Sequence, residues 1–258
     1  MSEMDLKPMS IGGILDGVLR LYKSHFVTFI TIGLVAYVPY SALVYFMQAS
    51  SGGATGAAAG TAAAIAGLMT FLYAIVVLPL CNAAMIEKIS ATYLDHPMSA
   101  PGAYKKGIRK IVKLLLTSIC MGLVVMVGFL LLIVPGIIFS LWFILATSVV
   151  VLEPVGPIDA LKRSKALMKG NLSKGFVLLF LVTVLSAIVG AAFGIVFGLI
   201  LGEEFFQGIG GVIFESVVNV LILPFSTGAV VLLYYDMRIR KEAFDLEQLA
   251  SDFTEATV

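Results

Sequence analysis

Leu114–Leu152 reads LLLTSICMGLVVMVGFLLLIVPGIIFSLWFILATSVVVL and contains no charged residue. A membrane span takes roughly 20 apolar residues, and one helix of about 40 would overshoot a hydrocarbon core of about 30 Å. Pro135-Gly136 stands inside the run, and a Pro-Gly pair is a turn signal. The stretch is therefore predicted to be two spans, about Leu114–Val134 and Ile137–Leu152, meeting at Pro135-Gly136. The second is short and is expected to borrow a turn from its neighbours.

Four further runs of spanning length flank this pair: about Phe26–Met47, Ala62–Met85, Phe176–Leu201 and Ile209–Tyr235. Composition agrees with six spans. Of 258 residues 60% are hydrophobic and 13% charged, against about 45–50% and 25% in soluble domains. The net charge of +1 gives no bulk basicity for a nucleic-acid partner. Cys81 and Cys120 sit in apolar runs with no CxxC spacing and read as packing residues. Met1–Lys7 lacks the basic start of a signal peptide, so the first run reads as a retained span.

The positive charges orient the bundle. Lys7, Arg20 and Lys23 precede the first span. Lys88, Lys105, Lys106, Arg109, Lys110 and Lys113 lie between the second and third. Lys162, Arg163, Lys165, Lys169 and Lys174 lie between the fourth and fifth, and Arg238, Arg240 and Lys241 follow the sixth. These are all 17 lysines and arginines, and all fall on one side. The opposite loops, Gln48–Thr61, the Pro135 turn and Gly202–Gly208, carry none. Cytoplasmic loops carry the Lys/Arg excess, so both termini are expected to be cytoplasmic.

Three basic segments are also amphipathic at helical spacing: Ile11–Lys23, Ala100–Lys113 and, less cleanly, Pro157–Leu172. Helices apolar on one face and basic on the other lie in the membrane interface. Arg20, Lys23, Lys105, Lys106, Arg109, Lys110, Lys113, Lys162, Arg163 and Lys169 are the expected headgroup-facing residues. The segments open alike, as Lys7-Pro-Met-Ser10, His96-Pro-Met-Ser99 and Gly156-Pro-Ile-Asp159, in a pattern suited to a helix start. The expected fold is an all-α integral membrane protein with six transmembrane helices in three hairpin repeats, each preceded by an amphipathic interfacial helix. Residues 1–24 form the first interfacial segment, and 25–242 the transmembrane domain, with interfacial helices near 97–113 and 157–174. Residues 243–258 form a cytoplasmic tail expected to fray over its last residues.

Chemistry-bearing motifs are scarce. His25 and His96 are the two histidines, without metal-ligand spacing, and the chain has no Walker A loop and no GxSxG elbow. No catalytic, cofactor or metal residue is expected. Gly190, Gly194, Gly198 and Gly202 recur every four residues, giving a helix face for close packing; a partner within the chain or in a second copy remains open. Glu215 is the acidic residue well inside an apolar run, with Asn219 one turn on. An intramembrane carboxylate is a functional-site candidate by default. Pro39, Pro79 and Pro224 fall within spans, where a proline frees a carbonyl for another partner.

Leu19-Arg-Leu-Tyr-Lys-Ser-His-Phe26, Val134-Pro-Gly-Ile-Ile-Phe-Ser-Leu-Trp142, Val149-Val-Val-Leu-Glu153 with Ala160-Leu-Lys-Arg-Ser164, and Leu233-Tyr-Tyr-Asp-Met-Arg-Ile-Arg-Lys-Glu242 carry a resemblance. They resemble bacterial six-span proteins similar to the membrane domain attached to some glycerophosphoryl diester phosphodiesterases. The likeness spans most of the chain but departs over Ser50–Gly67. It implies a bacterial cytoplasmic-membrane location and a link to lipid or envelope metabolism. The hydrolytic barrel of the fused enzymes has no counterpart here, so that activity does not carry over. The expected role is a non-enzymatic scaffold or accessory protein engaging anionic headgroups, with a second copy or a membrane protein as a possible partner. The alternative is a transporter, channel or lipid-moving protein with a polar path near Glu215.

Overall fold

The computed structural model describes residues 8–52, 57–96 and 98–255. Lys7 and Pro97 lie outside that set, as do the ends of the chain and part of the first far loop. The described residues form helices α1 (Ile11–Ser24), α2 (Phe26–Gly52), α3 (Ala57–Tyr93), α4 (Ala100–Leu131), α5 (Ile133–Phe143), α6 (Ala146–Leu152), α7 (Pro157–Met168), α8 (Leu172–Leu201) and α9 (Ile209–Glu255). A 3-10 turn, Glu203–Gln207, precedes α9. Six stretches are long and apolar enough to cross a membrane: α2, α3, α4, α5 with α6, α8 and α9. The protein is an all-α multi-span membrane protein. Its outer surface agrees, with Leu130 77%, Leu131 66%, Leu199 82% and Ile200 74% exposed, a cost in water that lipid removes.

The turn between the third and fourth spans differs from the sequence expectation. The chain breaks at Leu132, where the backbone is extended, and Pro135-Gly136 lies inside the first turn of α5. The first amides of a helix have no acceptor within it, so a proline there forfeits no hydrogen bond. Gly136 serves close approach instead: a Cβ on it would lie 2.5 Å from the Phe129 ring, and one on Gly128 would lie 3.0 Å from Gly136 Cα. Gly136→Val should therefore splay the α4–α5 hairpin and cost about 1–3 kcal/mol. A thermal melt in detergent checks this; an unchanged melting temperature would rule out the close crossing.

The carbonyls freed by Pro39 and Pro224 face neighbouring helices. Pro39 cannot donate to Val35 O, and Tyr73 Oη donates to that carbonyl at 2.9 Å and to Ala36 O at 3.0 Å. Three residues before Pro224, Leu221 O accepts from Tyr22 Oη at 3.2 Å. Pro224 likewise frees Val220 O, which lies against Gly33 of α2.

Helices start where the repeat expected them, at Ile11, Ala100 and Pro157, but in different relations to their spans. α1 is separated from α2 at His25, and α7 from α8 by Lys169–Asn171. The second is no separate element: α4 carries the basic stretch and the third span as one 32-residue helix. At about 1.5 Å per residue that is longer than the bilayer core, so its basic end projects beyond it. At the other end of the chain, α9 runs on to Glu255. Good helix formers such as Leu, Glu, Gln and Ala continue it where fraying was expected from Ala250.

Two of the three openings carry a side-chain cap, and Gly156 at the third has none. Ser10 Oγ accepts from Gly13 N at 3.0 Å, and Ser99 Oγ from Gly102 N at 3.3 Å, which satisfies an otherwise free amide at each helix start. The carbonyl before each cap position accepts from a lysine of another repeat. Lys88 of the first repeat donates to Met98 O at 2.8 Å, and Lys113 of the second to Val155 O at 3.2 Å. Lys174 of the third donates back to Met9 O at 2.6 Å. The repeats are thus latched head to tail in a closed ring at the basic end. The core lies at this end too, where Ala83–Ile86 of α3 and Val231–Tyr234 of α9 are almost fully buried.

Candidate functional site

Polar chemistry is concentrated at the basic end, around three carboxylates. Asp236 of α9 is 0% exposed. It accepts from Met9 N at 2.6 Å and from Arg240 Nε at 3.0 Å, and pairs with Lys174 of α8. Glu87, at the basic end of α3, accepts from Lys110 Nζ at 2.8 Å, and that ammonium also reaches Val151 O. Glu153, just past α6, accepts from Tyr234 Oη at 2.9 Å and lies 3.3 Å from Arg163 Nε. Arg163 continues to Glu242, which Arg238 contacts at 3.0 Å. Burial works against the Arg163 charge, but Glu242 and Glu153 outweigh it and hold the guanidinium above its ordinary pKa.

Beside these pairs opens a hollow of about 610 Å³ among α3, α4, α6 and α9. Lys106, Arg109, Lys110 and Arg238 line it, with Glu87, Ser90, Tyr234 and Tyr235. Lys110 is matched by Glu87 and Arg238 by Glu242. Lys106 stands 3.8 Å from the same Glu87 and is more than half exposed. Arg109 has no acid partner among the described residues. The hollow therefore carries an excess of positive charge over hydroxyl donors, the make-up of an anion site.

The expected headgroup-facing residues divide. Arg20, Lys23, Lys105, Lys162 and Lys169 are exposed, with Lys162 near Asp159 at 3.7 Å. Lys106 and Arg109 are exposed and line the hollow. Lys110, Lys113 and Arg163 spend their donors on Val151 O, Val155 O and acids of the chain itself. Glu87 and Lys88 were not separable from a plain span end by sequence. Their one visible signal was a charged pair directly after an uncharged run.

Glu215 is exposed, and Asn219 Nδ2 donates to the Glu215 backbone carbonyl at 2.9 Å rather than to its carboxylate. Both line a cleft of about 90 Å³ with Tyr37, Tyr40, Ser41 and Ser216. The glycine face of α8 packs within the chain. Positions for a Cβ on Gly190, Gly194 and Gly198 lie 3.7, 3.7 and 3.5 Å from Val218, Phe214 and Phe206. Gly202 is no part of that contact; it ends α8 with φ +79°, a conformation that favours glycine. Among the described residues no group of His, Cys, Asp and Glu is arranged to hold a metal ion.

A family model described as a domain of unknown function, DUF7847, matches residues 107–237, half of the chain. The chain belongs to the DUF7847 family. No curated protein and no solved structure matches it. The DUF7847 match includes Lys110, Lys113, Glu153, Arg163, Lys174 and Asp236. Met9, Glu87, Lys88 and Arg238 fall outside it, so the buried pairs tie the family domain to both flanking parts of the chain.

Proposed function

We propose that this protein is a non-enzymatic membrane scaffold or accessory component that holds an anionic lipid headgroup in the hollow at its basic end. The observation that carries this reading is the placement of Arg109, unpaired, beside Lys106 in a space also reached by Lys110 and Arg238. A phosphate there would meet a planar guanidinium able to bind it through two hydrogen bonds. Each Lys or Arg near an anionic leaflet contributes about 1 kcal/mol, and the hollow adds shape to that general attraction. On this reading the basic end faces the cytoplasm of a bacterial cell membrane, as the one-sided charge favours. The likeness to membrane domains joined to phosphodiesterases fits a role beside lipid or envelope metabolism.

Native mass spectrometry of protein released from nanodiscs tests this. Wild type should retain phosphatidylglycerol or phosphatidic acid over phosphatidylcholine. Lys106→Ala with Arg109→Ala should lose that retention, whereas Lys23→Ala with Lys169→Ala should keep it. Equal loss in both pairs would show general surface attraction and overturn the hollow as the site.

A further inference from the structure

A second cavity, of about 250 Å³, lies further into the bundle between α2, α3, α4, α6 and α9. It differs from the basic hollow in kind. Its polar lining comprises Tyr37, Cys81, Asn82, Ser118 and Thr147, none of them acidic or basic. The side chains of Asn82, Ser118 and Thr147 make no hydrogen bond among the described residues. An amide and two hydroxyls facing one space at membrane depth, with no protein partner, are costly unless something there bonds them. The volume suits a few waters or a solute of glycerol size.

The cavity has a neighbour on each side. Tyr37 lines both this cavity and the far-end cleft that holds Glu215 and Asn219. Towards the basic end, Leu114 lines the cavity and Lys110, one turn away on the same face of α4, lines the hollow. Three polar spaces therefore follow one another along the bundle.

We propose that the middle cavity binds and passes a small uncharged hydrogen-bonding solute, a polyol or an amide, admitted from the far end past Tyr37. Neutrality follows from the lining, which offers donors and acceptors but no counter-charge, so an ion would enter without compensation. Glu215 at the entrance repels anions further. This assignment stands apart from headgroup binding and uses none of the basic residues of the hollow.

Two measurements on the reconstituted full chain test it. The first is stopped-flow light scattering of vesicles challenged with glycerol or urea. Wild type should equilibrate faster than empty vesicles. Asn82→Leu with Thr147→Val should slow the excess flux about tenfold, as the bonding groups of the cavity are lost. Lys106→Ala with Arg109→Ala should leave it unchanged, which separates this proposal from the headgroup site. The second uses Cys81, a native thiol in the cavity wall, in a Cys120→Ser background. The uncharged reagent methyl methanethiosulfonate should modify Cys81 faster in Tyr37→Ala than with Tyr37 intact, and glycerol should protect it. Wild-type flux equal to that of empty vesicles for both solutes would overturn the proposal. So would a Cys81 rate unaffected by Tyr37→Ala in protein that still elutes as a folded species.

Discussion

Asp236→Ala should be among the most damaging single changes in this protein. The carboxylate is fully buried and is shared by Lys174, Arg240 and the amide of Met9. Removing one partner of a buried charge set leaves the others uncompensated, at about 3–5 kcal/mol. A thermal melt in detergent should show a large fall in melting temperature, with loss of folded material on size exclusion. Asp236→Asn keeps the size and removes the charge, so a comparable fall assigns the effect to electrostatics rather than to a void. Replacing Asp236 and Lys174 together by Leu and Met should recover part of the loss, since only the partly exposed Arg240 is then left without its carboxylate. A wild-type melt for Asp236→Ala would contradict the latch described here.

Tyr234→Ala should produce an effect of similar size by another route. The side chain is 0% exposed and among the largest fully buried ones. Truncating a buried aromatic costs about 3–5 kcal/mol through lost contacts and the cavity left behind. Tyr234→Phe isolates the hydroxyl, which donates to Glu153 and accepts from Arg238 Nη1 at 3.2 Å. Loss of a bond to a charged group should cost about 1.5–3 kcal/mol. If the phenylalanine variant melts with wild type, the hydroxyl contributes nothing and Glu153 is held by Arg163 alone.

These two residues show what could be read from the sequence and what could not. The six spans follow from run length, and the common basic end from where Lys and Arg fall, because both are properties of single segments. The caps at Ser10 and Ser99 were legible for the same reason. The inward turn of Lys110, Arg163 and Lys174 was not. Their acids sit on other helices, with Glu87 on α3 and Asp236 and Glu242 on α9, and no i, i+4 pattern reports such a partner. The position of the turn at Leu132 was missed because proline suits a loop and a first helical turn equally well. Asn82, Ser118 and Thr147 were ordinary small polar residues of three apolar runs until the bundle placed them around one space.

The head-to-tail ring has a consequence for how the chain is made. Met9 precedes Lys174, Asp236 and Arg240 in the chain by more than 160 residues, yet its amide and carbonyl bond to all three. Until those residues are made, α1 lacks its lock. α1 is therefore made before α8 and α9 but fixed only after both, and the basic end cannot close until they are in place.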